Sequence, residues 1–328
     1  MSCCGDRHRS SARVSSLPEK TVLKPRALKP GDKIGILAPA SSFNYEAFER
    51  GCNRLREMGY EPVYSPEIFV RDLYFAGPAE RRLNELTSLL TRDDIAALIC
   101  VRGGYGANYL LDRLDFNLFA QHPKILLGCS DITSLLTAIT NRSGLVTFHG
   151  PMIAKDIAEG SFDNTSWNNA LQGAQSWEIS TPGVEVLRPG RAEGRLYGGC
   201  LSMLAASLGT PFEIETDGTI LFIEDIGEKP FRIDRMLMQL HLAGKLKGVR
   251  GFVFGEMLDC RPPAGETYTL QQVILHLLRD YEAPIVYGLK SGHVSANNIT
   301  LPIGVQAELT ASGEGVALKI LEAATIIR

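Results

Sequence analysis

Ile125-Leu126-Leu127-Gly128-Cys129-Ser130-Asp131-Ile132-Thr133 is the stretch on which the reading of this chain depends. A short apolar run stops at a glycine, a serine follows two residues later, and a helical pattern from Ile132 to Thr140 begins at once. A strand that turns sharply into a helix lifts a side chain to the C-terminal edge of its sheet. There the first N–H groups of the helix face any developing negative charge. Ser130 is therefore a candidate nucleophile. The competing reading is that Ser130 or Asp131 is an ordinary helix N-cap, a common role for both residue types.

Around this stretch the pattern alternates. Lys33–Ala38, Glu61–Tyr64, Ile95–Val101, Ile125–Leu127 and Val146–Phe148 read as strands, and Tyr45–Met58, Ala79–Leu90, Asn108–Leu114 and Ile132–Thr140 as helices. Strands separated by helices pair in parallel through right-handed crossovers, which implies an open parallel α/β sheet covered on both faces. Ligands of such sheets sit outside the carboxyl ends of the strands. The loops Pro39–Ser42, Arg102–Gly106 and Gly128–Asp131 converge there. The apolar rhythm weakens from Glu159 to Arg191, and residues 166–190 read as a linker. Beyond it, strands at Thr219–Ile223, Val249–Phe254, Ile285–Tyr287, Val305–Leu309 and Val316–Leu321 mix with helices at Leu201–Leu208, Phe231–Leu242 and Leu270–Arg279. The division expected is a disordered tail over 1–27, an N-terminal α/β domain over 28–165 and a smaller, β-rich and barrel-like α+β domain over 191–328.

At 328 residues and 45% hydrophobic content the chain has material for one large or two ordinary domains. A formal net charge of −3 gives no basic face for nucleic acid. No apolar run is long enough to span a bilayer. The Arg/Ser-rich start lacks the apolar core of a signal peptide, and a tail is the reading preferred over an organelle transit peptide. The 7 cysteines are odd in number and show no Cys-x-x-Cys pair, and no His-Glu-x-x-His occurs. A reducing compartment, the cytoplasm, and a site without metal or cofactor are expected. Arg102-Gly103-Gly104-Tyr105-Gly106 fails the spacing of both glycine-rich nucleotide loops. Its two glycines do permit close backbone approach, and their N–H groups could complete an oxyanion hole beside that of Asp131.

A nucleophilic serine needs a base, and the base an orienting acceptor. His8 lies in the tail, His122 at the opposite sheet edge, and His241 and His276 inside apolar helices. His149 and His293 both follow strands in glycine-bearing turns, and sequence pattern barely separates them. For the acid, Thr219–Ile223 runs straight into Glu224-Asp225. A carboxylate at the end of a buried strand seeks a partner. Asp225 is expected to pair with Arg232 or Arg235.

Arg102–Gly106, Gly128–Thr133 and His149-Gly150-Pro151-Met152 resemble the N-terminal half of the LD-carboxypeptidase family, serine peptidases that include microcin-immunity hydrolases. Gly198-Gly199 with Leu201, Gly209-Thr210, Leu221–Asp225, Arg232–Leu237 and Gly292-His293 with Thr300–Gly304 resemble its second half, in order. The resemblance runs from about Leu28 to the C-terminus. It implies a flavodoxin-like N-terminal domain and a triad of Ser130 (nucleophile), Glu224 (orienting acid) and His293 (general base and acid). It also implies an oxyanion hole from the backbone of Asp131 and Gly104. His149 then becomes a supporting residue. The implied substrate is the muropeptide tetrapeptide, cut before its terminal D-alanine in cytoplasmic peptidoglycan recycling, and the implied assembly is a homodimer. Cys200 stands where the family often has asparagine, which bears on specificity. The alternatives are a microcin-type peptidyl- or aminoacyl-nucleotide hydrolase with the same triad and, in another class, a non-catalytic ligand-binding α/β module.

Overall fold

The computed structural model describes residues 22–327. The first sheet is built from β1 (Lys33–Leu37), β2 (Glu61–Val63), β3 (Ile95–Cys100), β4 (Ile125–Gly128) and β5 (Thr147–His149). These five pair in parallel in the order β2-β1-β3-β4-β5. β3 sits at the centre and is buried at every residue, as its continuous apolar run requires. The sheet is mixed rather than all parallel. Leu301–Ile303, from far along the chain, adds to its edge antiparallel to β5.

Helices α1 (Tyr45–Glu57), α2 (Ala79–Thr91), α3 (Phe116–Gln121) and α4 (Thr133–Ser143) connect these strands. α1 starts where the Asn44 side chain accepts from Ala47 N at 2.9 Å and buries Phe48, Cys52 and Leu55 on one stripe. α4 differs: every residue from Thr133 to Asn141 is buried. A helix buried all round lies between layers, and α4 packs on the first sheet and on the long strand of the second. The stretch 107–113 is a 3₁₀ helix rather than an α-helix.

The second sheet holds β6 (Trp177–Ile179), β7 (Glu185–Arg188), β8 (Gly190–Cys200), β9 (Thr219–Glu224), β10 (Gly251–Gly255) and β11 (Ile285–Leu289). With Leu301–Ile303 counted as β12, it is completed by β13 (Gln306–Ser312) and β14 (Gly315–Ile320). Its order is β6-β14-β13-β8-β9-β10-β11-β7. The terminal strands β6 and β7 do not pair, so the expected barrel is an open mixed sheet. Helices α5 (Asn164–Leu171), α6 (Leu201–Ala206), α7 (Pro230–Leu242) and α8 (Leu270–Leu277) complete the chain.

Two expectations change. The segment read as a linker over 166–190 carries most of α5 together with β6 and β7, and it buries Trp167, Trp177 and Ile179. Of the segment read as a tail, residues 1–21 lie outside the described residues. Residues 22–27 are ordered: Leu23 bridges Leu145, and Arg26 bridges Ile326.

Candidate active site

β4 ends at Gly128, where a Cβ would lie 2.9 Å from the Ile132 side chain, so only glycine lets the chain fold back so tightly. Ser130 then adopts φ 62°, in the left-handed region. For a residue with a Cβ this costs about 1–2 kcal/mol, and such strain concentrates at functional turns. A 3₁₀ turn over Ser130–Ile132 leads into α4. Gly103 lies directly against the serine: its Cβ would sit 2.9 Å from Ser130 Oγ and 3.1 Å from Asp131 N. Gly104, at φ 98°, faces Ser41 instead, whose Oγ would be 2.4 Å from a Cβ there.

The loops around the serine are tied by a residue that pattern reading passed over. Arg82 is fully buried, and its guanidinium donates to Gly77 O at 3.1 Å, Pro39 O at 2.5 Å and Gly106 O at 2.7 Å. The signal was present, because Arg82 shares the inward face of α2 with Leu86, Leu89 and Leu90. Asp131 is buried as well, and its Oδ2 accepts from Ala107 N at 2.7 Å. Burial pushes its carboxyl up to about 6, with the Ala107 N–H and the Arg82 charge opposing.

Glu224, the last residue of β9, has no exposed surface. Its Oε2 accepts from His293 Nδ1 at 2.8 Å and from His293 N at 3.1 Å. Burial alone would raise the Glu224 carboxyl; the His293 charge and hydrogen bond, with His149 adding, hold it well below the carboxylate range. For His293, burial disfavours the imidazolium, but the Glu224 carboxylate outweighs it and the ring is raised above its ordinary value. His293 keeps 15% side-chain exposure, whereas its carboxylate partner has none.

His149 occupies the second position on the same carboxylate. It is fully buried, its Nδ1 is 3.0 Å from Ser291 Oγ, and its Nε2 stands 3.6 Å from Glu224 Oε1. That last distance is an electrostatic contact longer than a hydrogen bond. His149 is also paired in register with Gly128, so the carboxylate–imidazole pair lies beside the strand end that carries Ser130. Gly292, at φ 90°, fits between them because it has no side chain: a Cβ would be 2.7 Å from both Glu224 Cδ and His149 Cε1. Asn298 staples this turn, accepting from Gly292 N at 2.9 Å and donating to Gly292 O at 3.0 Å. No local pattern marks Asn298, since its role is set by a partner six residues away in an irregular loop.

The second sheet docks at the same place. Gly199 leaves room for Thr133, whose Oγ1 accepts from Cys200 N at 3.1 Å. Asp225 does not pair with Arg232 or Arg235. It caps α6 instead, accepting from Ser202 N at 2.9 Å and Ile226 N at 2.8 Å, while Arg232 stands 3.6 Å from Glu228. Cys200, Glu224 and His293 offer ligand atoms within 4.8 Å of one another. A divalent cation there would have to break the Glu224–His293 bond and deprotonate Cys200, whose thiol burial pushes well above its ordinary value.

The site thus holds a serine in the left-handed region at a strand-to-helix turn and, on the neighbouring strand ends, an imidazole bound to a buried carboxylate. Residues 34–150 match the LD-carboxypeptidase N-terminal domain and residues 193–309 the LD-carboxypeptidase C-terminal domain. The chain belongs to the LD-carboxypeptidase family. It is 39% identical over 292 residues to the probable murein peptide carboxypeptidase of Bacillus subtilis, covering 87% of this chain and 91% of that protein. The solved muramoyltetrapeptide carboxypeptidase of Oxalobacter formigenes superposes with TM-score 0.79 at 31% identity, over 88% of this chain and 99% of that one. The microcin C7 self-immunity protein of Escherichia coli is 28% identical, over 88% of this chain and 93% of that protein.

Proposed function

We propose that this protein is a serine carboxypeptidase that releases the terminal D-alanine of muropeptide tetrapeptides. Ser130 Oγ attacks the carbonyl carbon of the scissile amide while His293 takes its proton. The Asp131 N–H and the Gly103-Gly104 backbone receive the oxyanion. Collapse breaks the C–N bond, His293 returns the proton to the departing D-alanine nitrogen, and water, activated by the same imidazole, hydrolyses the acyl-enzyme. Glu224 stabilises the imidazolium. The observation that carries this reading is the 2.8 Å bond between His293 Nδ1 and Glu224 Oε2, which commits one ring nitrogen and leaves Nε2 for proton transfer.

On this reading the N-terminal unit (28–165), with the 2-1-3-4-5 strand order of flavodoxin-like sheets, supplies the nucleophile, and the C-terminal unit (191–328) supplies acid and base. The protein works as a cytoplasmic homodimer in peptidoglycan recycling. The 39% identity to a murein peptide carboxypeptidase favours this substrate over the nucleotide conjugates of the microcin relative, at 28%. A side-by-side assay tests it. Free D-alanine should appear from the tetrapeptide, and not from the pentapeptide, the all-L tetrapeptide or a peptidyl-nucleotide conjugate. Turnover of the conjugate in place of the tetrapeptide would overturn the substrate and leave the chemistry standing.

A further inference from the structure

The negative charges around the serine are all committed to partners inside the protein. Glu224 is bound to His293, Asp131 to Ala107 N, Asp225 to Ser202 N and Ile226 N, and Asp156 to Met152 N. Two positive charges are not committed in this way. Arg102 is exposed, holds its guanidinium 3.4 Å from Ser42 O and beside Gly104, and has no ion-pair partner among the described residues. Lys155 keeps 39% of its side chain exposed, and its nearest carboxylate oxygen, on Asp156, is 3.9 Å away.

The fold brings the two together. Lys155 lies in a single π-helical turn, Ile153–Ile157, that follows the strand ending in His149. Such turns recur at functional sites. Ala154 N donates to Val101 O at 2.9 Å, so the neighbours Lys155 and Arg102 leave the backbone at one junction on the carboxyl edge of the first sheet. The charge of Lys155 is felt at both Cys129, the residue before the serine, and His293. Two further arginines are committed elsewhere. Arg82 is buried on three carbonyls, and Arg232 stands on α7 facing Glu228.

We propose that Arg102 and Lys155 form a cationic clamp that reads the free carboxylate at the C-terminus of the peptide substrate. The clamp rests on the carboxypeptidase reading and deepens it, because it makes the enzyme an exopeptidase. A carboxylate leaving water is accepted only by charged or N–H-rich partners. A peptide continuing past the scissile residue presents a neutral amide there, and the two cations are then left desolvated without a counter-charge. The rejection of longer chains follows from the same two side chains.

The test compares the tetrapeptide ending in D-alanine with the same peptide ending in D-alaninamide, which has the same scissile bond and one charge less. The native chain should show an acid-to-amide ratio in kcat/KM of about 10² or more, the scale of losing charge-assisted hydrogen bonds. In Lys155→Met and Arg102→Gln the ratio should fall at least tenfold, carried by KM for the acid, and in the double variant it should approach unity. Lys155→Arg should restore most of it. Equal losses on both peptides, or a ratio unmoved in the double variant, would overturn the clamp. The same pair of peptides titrated calorimetrically into Ser130→Ala separates the two claims. If Ser130→Ala binds acid over amide through Arg102 and Lys155 while the native chain cleaves neither peptide, the clamp stands and the carboxypeptidase reading falls. Equal binding of both peptides would sink the clamp.

Discussion

A single methyl group at Gly292 tests the geometry on which the chemistry depends. In Gly292→Ala the new Cβ would meet Glu224 Cδ and His149 Cε1 at 2.7 Å and Glu224 Oε1 at 2.8 Å. Ordinary contact begins near 3.4 Å, so the carboxylate must retreat from 2.7 to 3.4 Å, roughly 0.7 Å. A displacement of that size lengthens or misaligns the 2.8 Å bond to His293 Nδ1, by up to roughly 0.7 Å if it runs along the bond. An imidazole without its orienting acid loses on the order of 10²–10⁴ in kcat. The substitution also forces an L side chain to φ 90°, a strain of about 1–2 kcal/mol. Gly244→Ala is the matched control. It imposes the same kind of strain at φ 74° with no atom within 4 Å of the new Cβ. Urea unfolding should show both variants destabilised, Gly292→Ala the more. D-alanine release should collapse only in Gly292→Ala. If Gly292→Ala kept kcat within about threefold of the native chain, the claim that this packing holds the catalytic pair would be wrong.

His293→Ala should lose several orders of magnitude in turnover, and adding Ser130→Ala should make it little worse, because the triad acts as a unit. His149→Ala should cost less, through positioning; the reverse ranking would reassign the base. With His293 raised above its ordinary 6.5, the acid limb of kcat/KM should have an apparent pKa above that value, with activity lost as pH falls and the ring protonates. Glu224→Gln should move that limb to lower pH, since burial and the Lys155 charge are then opposed by the Asp225 charge without Glu224; an unmoved limb would separate His293 from Glu224. Asp131 titrates in the opposite sense for stability. Its folded pKa of about 6 exceeds the unfolded 3.8, so the native state binds the proton more tightly. Its contribution declines as pH rises from 3.8 to about 6, and Asp131→Asn should flatten that part of the stability profile. Exhaustive chelation should leave the rate unchanged; a loss restored by added metal would contradict the serine mechanism as drawn.

What could be read from the chain was local. The turn at Ser130 carried its signal within nine residues, and Glu224 was marked by the apolar run that ends on it. β8 was missed although it is the longest strand of the second sheet, because Gly190, Gly194, Gly198 and Gly199 look like a loop. The glycines are there for packing: at Gly198 a Cβ would lie 2.0 Å from Phe222 O. β6 and β12 are three residues long, too short to show a period. β12 pairs with a strand some 150 residues earlier, a contact set by tertiary packing rather than propensity. The expected ion pair of Asp225 failed for a related reason. A buried carboxylate took nearby backbone donors, the first-turn Ser202 N–H of α6 and the adjacent Ile226 N–H, in preference to an exposed guanidinium.

The central claim is that Ser130 delivers the acyl transfer. Purified native protein and Ser130→Ala, both shown to be folded by circular dichroism, should be given the free tetrapeptide and followed for D-alanine by chiral chromatography. The account predicts steady release by the native chain and a loss on the order of 10⁶ in the variant. Release by Ser130→Ala at a rate near that of the native chain would contradict it and turn attention to Cys129, the neighbouring side chain on the same turn.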